Sequence, residues 1–396
     1  MKGKIALILS VLFILCSCDR LPNASVENTD FSQNGVWFTY NEINDMLASL
    51  EGFETQLNNA VENCRKLNIT NVYIHTRAYC DSLYPSSFFP IIKSAERFEY
   101  DVFLKIIEAF HKVGIKVHAW VNPYRVLTSS DNINKLCEQS PAYKWLKDEN
   151  VTNDKNVCFY NGIYLNPAET EVQNLILNGI REIITNYKVD GIHFDDYFYP
   201  TKSEDFDKES YKIYKNGSEN PLSLDDWRRQ NVNGLISGCY SLIKKYDKDI
   251  VFSVSPAASI EKNYTDLYAD VRQWIFEGYI DVVIPQLYFG YDYSDNQFKF
   301  NNILKEWLSI CDKKVDLLIG LAAYKIGTHT EADGKEWQTQ TDIIARQVKE
   351  CLDSGNVKGC IFFSYSSLFS EEKLNIIQRE NLLQFMENIS LVKQNE

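Results

Sequence analysis

The hydrophobic pattern of this chain alternates between two periods. Short runs rich in β-branched and aromatic residues recur along it, and between them apolar positions return every three or four residues. The runs 35–40 (GVWFTY), 71–78 (NVYIHTRA), 116–123 (KVHAWVNP), 189–194 (VDGIHF), 250–257 (IVFSVSPA), 281–288 (DVVIPQLY), 316–324 (DLLIGLAAY) and 358–365 (KGCIFFSY) are predicted strands. Helical spacing occupies 53–67, 100–113, 168–187, a segment opening at Ser223, and then 267–277, 301–313, 340–354 and 374–389. Ser223 with Asp225 and Asp226 behind it suits a helix N-terminus, because their oxygens can accept from the unpaired first N–H groups. Eight strands and eight helical returns predict an α/β fold, a (β/α)8 TIM barrel. It forms one domain over residues 33–392, with long loops after strands 3 and 4. Within the first of these loops, Asn161-Gly162 between two apolar runs predicts a β-hairpin with a primed turn. A doubly wound open sheet is the alternative, but no G-x-G-x-x-G follows the first strand.

Period-two alternation then sorts each strand into an inward and an outward face. Tyr73, His75 and Arg77 share one side of strand 2, and His118, Trp120 and Asn122 one side of strand 3. Strand 4 lines up His193, Asp195 and Tyr197. Later strands supply Ser253 and Ser255, Gln286 and Tyr288, and Tyr324. If these sets face the lumen they crowd toward its C-terminal mouth, where barrel enzymes keep their chemistry. A buried strand does not end in two ionised acids without pairing or using them, so Asp195 and Asp196 are the predicted catalytic pair. Tyr197 and Tyr199 follow directly, and aromatic faces beside carboxylates suit a pyranose ring. No other predicted strand closes on an acid. A second, separate carboxylate would come from a loop, with Asp81, Asp225, Asp226 and Asp292 available. Two adjacent acids also suit substrate assistance, one steadying an N-acetyl group while the other protonates the leaving oxygen. Carboxylates this close titrate as a pair, which leaves one protonated as the acid.

Composition narrows the partners. A net charge of −13 over 396 residues argues against nucleic acid or anionic lipid as the main partner. At the N-terminus, Lys2 and Lys4 precede an apolar run over 5–15, and Leu15-Cys16-Ser17-Cys18 resembles a bacterial lipobox. The expectation is a lipoprotein signal peptide over 1–18, with Cys18 lipidated, a polar tether over 19–32, and an exported protein anchored at the cell envelope. The eight remaining cysteines show no C-x-x-C spacing and sit mostly in apolar runs, which predicts buried free thiols.

Seven ordered blocks carry a resemblance: HAWVNPYR (118–125), YLNP (164–167), DGIHFDDYFYP (190–200), DWRRQNV (226–232), SVSP (253–256), DLYAD (266–270) and IPQLY (284–288). Over roughly 33–370 the chain resembles the glycosyl-hydrolase-like 10 family of bacterial envelope barrel proteins. That resemblance implies a TIM-barrel glycoside hydrolase that, in lipoprotein members, cleaves peptidoglycan strands stripped of peptides; no cofactor or metal is expected. It carries Asp195 and Asp196 over as acids. His75, Arg77, Trp120, Asn122, Tyr124, Arg125, His193, Tyr197, Gln286 and Tyr288 carry over as cleft residues, to which Tyr199, Ser255 and Tyr324 are added from their strand-end positions. The chain departs from the pattern in lacking a Pro after Arg77, and a Gly, Trp and Arg after Pro256. Two other classes stay open at this level. One is a glycan-binding lipoprotein without catalysis, and the other a metal-dependent hydrolase drawing ligands from His75, His118, His193 and Asp195.

Overall fold

The computed structural model of the protein describes residues 31–311 and 314–394. The predicted signal segment with Cys18, and the tether up to residue 30, lie outside them. Eight parallel strands close a barrel: β1 (Gly35–Phe38), β2 (Asn71–Arg77), β3 (Lys116–Val121), β4 (Gly191–Phe194), β5 (Val251–Val254), β6 (Val282–Val283), β7 (Asp316–Leu321) and β8 (Val357–Phe362). Each pairs with its sequence neighbours, and β8 returns to β1 through Gly35↔Ile361. Helical returns run outside: α1 (Phe53–Lys66), α2 (Val102–His111), α3 (Thr170–Asn186), α4 (Leu224–Tyr246), α5 (Val271–Glu277), α6 (Phe300–Ile310), α7 (Ile343–Asp353) and α8 (Lys373–Gln394). The fold class expected from periodicity is the one observed.

Local chemistry explains the element ends. Asp101 caps α2 by accepting from the N–H of Leu104, and Ser223 caps α4 by accepting from Asp226 as expected. One stripe of α2 (Val102, Phe103, Ile106, Ile107, Phe110) is buried against the strands, each large side chain contributing about 1.5–3 kcal/mol. The sixth strand is much shorter than its apolar run. Pro285 has no N–H to continue the ladder, so beyond it Gln286 makes only isolated bridges to Ala257 and Gly320. The first strand stops at Phe38, where Thr39 and Glu42 form a capping box that starts a short helix.

The excursion after β3 forms the hairpin Val157–Phe159/Gly162–Leu165, and Arg125–Thr128 adds a third, unpredicted strand. Its turn differs from the primed one expected. Asn161 alone is left-handed, at φ 47°, while Gly162 is required because a Cβ there would lie 2.5 Å from the Leu127 carbonyl oxygen. The excursion after β4 is pinned by Arg228 of α4. This buried guanidinium bonds Asp207, the Ser203 carbonyl and the Tyr268 hydroxyl.

Inside the barrel the lumen is filled, not hollow. Trp37, Tyr73, Trp120, Val282, Ile284, Leu318 and Ile361 form one inner cluster, separate from the larger core between strands and helices. Polar inner residues are matched to each other. Tyr73 stacks on His118, whose Nε2 meets Asn71 Oδ1 at 3.0 Å. This plug closes the lower lumen and leaves only the C-terminal mouth for a ligand.

Candidate active site

Register places the site. Across β2, β3, β4 and β5, His75, Trp120, His193 and Ser253 lie side by side and point inward. One step beyond His193, as β4 ends, Asp195 enters the mouth. Asp195 is 2% exposed; its Oδ2 accepts from the Trp120 indole N–H at 3.2 Å and its Oδ1 from the Tyr197 backbone N–H at 3.2 Å. Burial, and then the charge of Asp196, push its carboxyl up to about 8, against the opposing pull of Arg125 and of the two donors. Asp196 turns the other way and is half-buried. Its Oδ1 accepts from Gln286 Nε2 at 3.3 Å, and Gln286 is held in turn by the Ser255 carbonyl at 3.0 Å. Burial raises the Asp196 carboxyl too, with the Gln286 bond the largest opposing effect. Asp195 is therefore the member of the pair that holds a proton at neutral pH.

Rings wall the acids on both sides. The His75 imidazole lies flat on Trp120 at 3.7 Å between centroids, fixing the indole that donates to Asp195. Arg125 is laid over the mouth by the small antiparallel sheet and sits between the faces of Tyr79 and Tyr197, at 4.9 and 4.3 Å. Opposite, Tyr288 and Tyr324 pack edge to face and both meet Phe363. Tyr197 and Tyr324 remain exposed, as a stacking platform for a ligand requires.

Not every expected cleft residue is in the cleft. Arg77 faces the helices: an irregularity between His75 and Arg77 shifts the register, so its guanidinium lies over Phe89 at 3.7 Å and against Gly179 of α3. Tyr124 is fully buried in the outer core, because the chain turns there to begin the small sheet. Tyr199 is likewise buried, packed on Tyr268 and under Arg228. His193 is a satisfied interior histidine beneath the acids. It accepts from Trp37 Nε1 at 3.0 Å, so its Nδ1 proton goes to Ser253 Oγ at 2.8 Å. Asn122 and Ser255 are buried at the floor, Asn122 donating to the Ala78 carbonyl. The histidines do not converge on one point, and among the described residues no group of three His, Cys, Asp or Glu is placed to hold a metal ion. Of the loop acids, Asp225 accepts from the Tyr268 hydroxyl and Asp226 from the Ser223 hydroxyl and Arg229, whereas Asp81 lines a cavity beside the mouth. Tyr40, Tyr79 and Phe363 join the walls although nothing in the strand pattern singled them out. Their signal was position alone, each falling within two residues of a strand's C-terminal end.

The family model described as "Glycosyl hydrolase-like 10" matches residues 33–339. A Bacillus subtilis protein named "Glycosyl hydrolase YngK" is 31% identical over 333 residues, covering 78% of this chain and 62% of its own length, so the chain spans under two thirds of that relative. An Escherichia coli protein named "Glycosyl hydrolase DigH" is 26% identical, covering 97% of this chain and 96% of its own. Among solved structures, the PgaB (BpsB) glycoside hydrolase domain from Bordetella bronchiseptica superposes with a TM-score of 0.61 at 12% identity, over 89% of this chain and 99% of that one. A GH18 chitinase from Cycas revoluta in complex with (GlcNAc)4 does so at 0.51 and 10%, over 89% and 99%.

Proposed function

The chain belongs to the glycosyl hydrolase-like 10 family, a glycoside hydrolase on a TIM-barrel frame, and from that premise we propose that it cleaves an N-acetylated glycan by means of Asp195 and Asp196. The observation that carries this reading is the placement of two neighbouring acids beneath a ring-lined mouth, Asp195 buried under the Trp120 indole N–H and Asp196 held by Gln286. Asp195 donates its proton to the glycosidic oxygen as the bond to the anomeric carbon breaks. Asp196, held by Gln286, accepts a hydrogen bond from the N–H of the 2-acetamido group, whose carbonyl oxygen attacks the anomeric carbon. Water then opens the cyclic oxazolinium and returns a proton to Asp195. Tyr288, Tyr324 and Tyr197 supply faces for the sugar rings, and Arg125 a cation that steadies both acids and pairs with an anionic substituent.

The substrate we infer is peptidoglycan strand stripped of its peptides. It is supported by the seven sequence blocks and by the fold shared with a chitinase bound to N-acetylglucosamine units. The Lys2–Cys18 pattern supports export, with a lipid on Cys18 as the membrane contact. The scheme uses no cofactor, and the acidic chain offers nucleic acid no footing. The test is incubation with peptide-free strands and mass analysis of the products. Fragments with free reducing ends support hydrolysis, while anhydro ends or intact strands defeat it.

A further inference from the structure

Beside the acids, between the loops that follow β1, β2 and β3, lies a cavity of about 960 Å³. It is a side chamber of the mouth. Its inner wall includes His75, the ring stacked on the Asp195 donor Trp120, and its rim includes Tyr79, the ring under Arg125. Three of its polar groups are unusual. His75 is buried, at 5% exposure, and neither ring nitrogen makes a well-formed hydrogen bond, the Asn122 side chain being its nearest polar neighbour; burial and the Arg125 charge hold it neutral, well below the usual histidine range, against the weaker pull of Asn122. Ser140, at 3% exposure, has a hydroxyl with no well-formed hydrogen bond, its nearest polar neighbour being the Cys80 thiol, a weak partner. Asp81 accepts from the Tyr79 N–H at 3.3 Å, and burial pushes its carboxyl up to about 6, so it is mostly charged at pH 7.5. Buried polar groups without well-formed hydrogen bonds are unfavourable, and a ligand bearing hydroxyls removes that cost. Tyr40 meets both His75 and Tyr79 edge to face, giving the chamber an aromatic side.

We infer that this chamber is a sugar subsite that accepts a neutral N-acetylhexosamine unit and rejects one carrying a carboxylate, so that it sets which bond of an alternating glycan reaches the acids. This rests on the glycan reading above and deepens it. Volume admits one or two pyranose rings, rings stack on Tyr40 and Tyr79, and hydroxyls reach His75, Ser140 and Asp81. A lactyl or uronate group would instead place its charge against Asp81 in a poorly solvated wall, where like charges repel strongly, whereas Lys93, Glu96 and Lys135 line the chamber only at its exposed rim. The Arg125 position, in contrast, favours an acidic substituent. Together the two sites would read the alternation of neutral and acidic units.

Binding is measured by calorimetry in the full chain carrying Asp195→Asn, with chitotetraose as probe. Adding His75→Ala or Ser140→Val should each weaken binding about tenfold, the loss of one well-placed hydrogen bond. Register is measured in the active enzyme on peptide-free alternating strands of N-acetylglucosamine and N-acetylmuramic acid. The native chain should yield one kind of reducing end, and Asp81→Asn or Asp81→Ser both kinds. An unaltered single kind of end in both Asp81 variants, or chitotetraose affinity untouched by both chamber variants, overturns the inference while leaving hydrolysis in place. Absence of hydrolysis by the native chain overturns the functional reading instead.

Discussion

The surroundings of Asp195 disfavour its charge, which suits it to the proton-donor role proposed for it. A folded-state value near 8, against an unfolded carboxyl near 3.9, means the native chain binds the extra proton between those pH values. Stability from this group is therefore full below about pH 4 and is lost as pH rises toward 8. Asp195→Asn removes that loss. We expect it to raise Tm at pH 8 more than at pH 5, while kcat falls about 100- to 10,000-fold. Thermal scans at the two pH values with parallel assays check both. A variant that is less stable at pH 8 would contradict the assignment. In the native enzyme kcat/KM should fall on a basic limb near pH 8. Trp120→Phe removes a donor that favours the charged form, so that limb should move to higher pH. Arg125→Ala also removes a neighbour that lowers both acids, and shifts the limb in the same direction with a raised KM. Arg125→Lys should not restore KM, because an ammonium does not stack between two rings as a planar guanidinium does.

At the level of elements, two long loops hold the mouth and two features hold the loops. One is the Arg228–Asp207 pair, buried at both ends, joining α4 to the excursion after β4. Arg228→Met leaves Asp207 charged and unpaired, which costs about 3–5 kcal/mol, and chemical denaturation will report it as a lower midpoint. The other is the register shift in β2. It turns Arg77 out of the barrel and into the seam with α3, where Gly179 leaves room for it. A Cβ at Gly179 would lie 2.3 Å from Arg77 Nη1 and 2.8 Å from the Phe89 ring. Gly179→Ala should therefore destabilise by about 1–3 kcal/mol through overpacking, even though alanine is the better helix former. Its pH–rate profile should keep the native limbs, since Arg77 touches neither acid. A shifted limb would return Arg77 to the site.

For the whole molecule, eight strands converge on one mouth, and the lipid anchor proposed at Cys18 would tether it through the N-terminal segment. Cys18→Ser should release the protein from the membrane fraction and leave glycan hydrolysis intact, which fractionation followed by assay will show. The barrel itself was legible from the chain, since alternating periods of two and 3.6 with short connections leave few ways to bury every apolar face. So was the inward set Tyr73, His75, His118, Trp120, His193 and Ser253, because side chains on a regular strand alternate without exception until the ladder breaks. Asp195 and Asp196 were visible because no core tolerates two unpaired charges. The rest was decided only when the chain closed on itself. A register shift in β2, the turn at Tyr124 and the packing of Tyr199 on Arg228 exchanged inside for outside, and such breaks depend on contacts far along the sequence. The protonation of Asp195 and the chamber beside it arise the same way. Both are properties of what surrounds a side chain, and only the folded molecule assembles those surroundings.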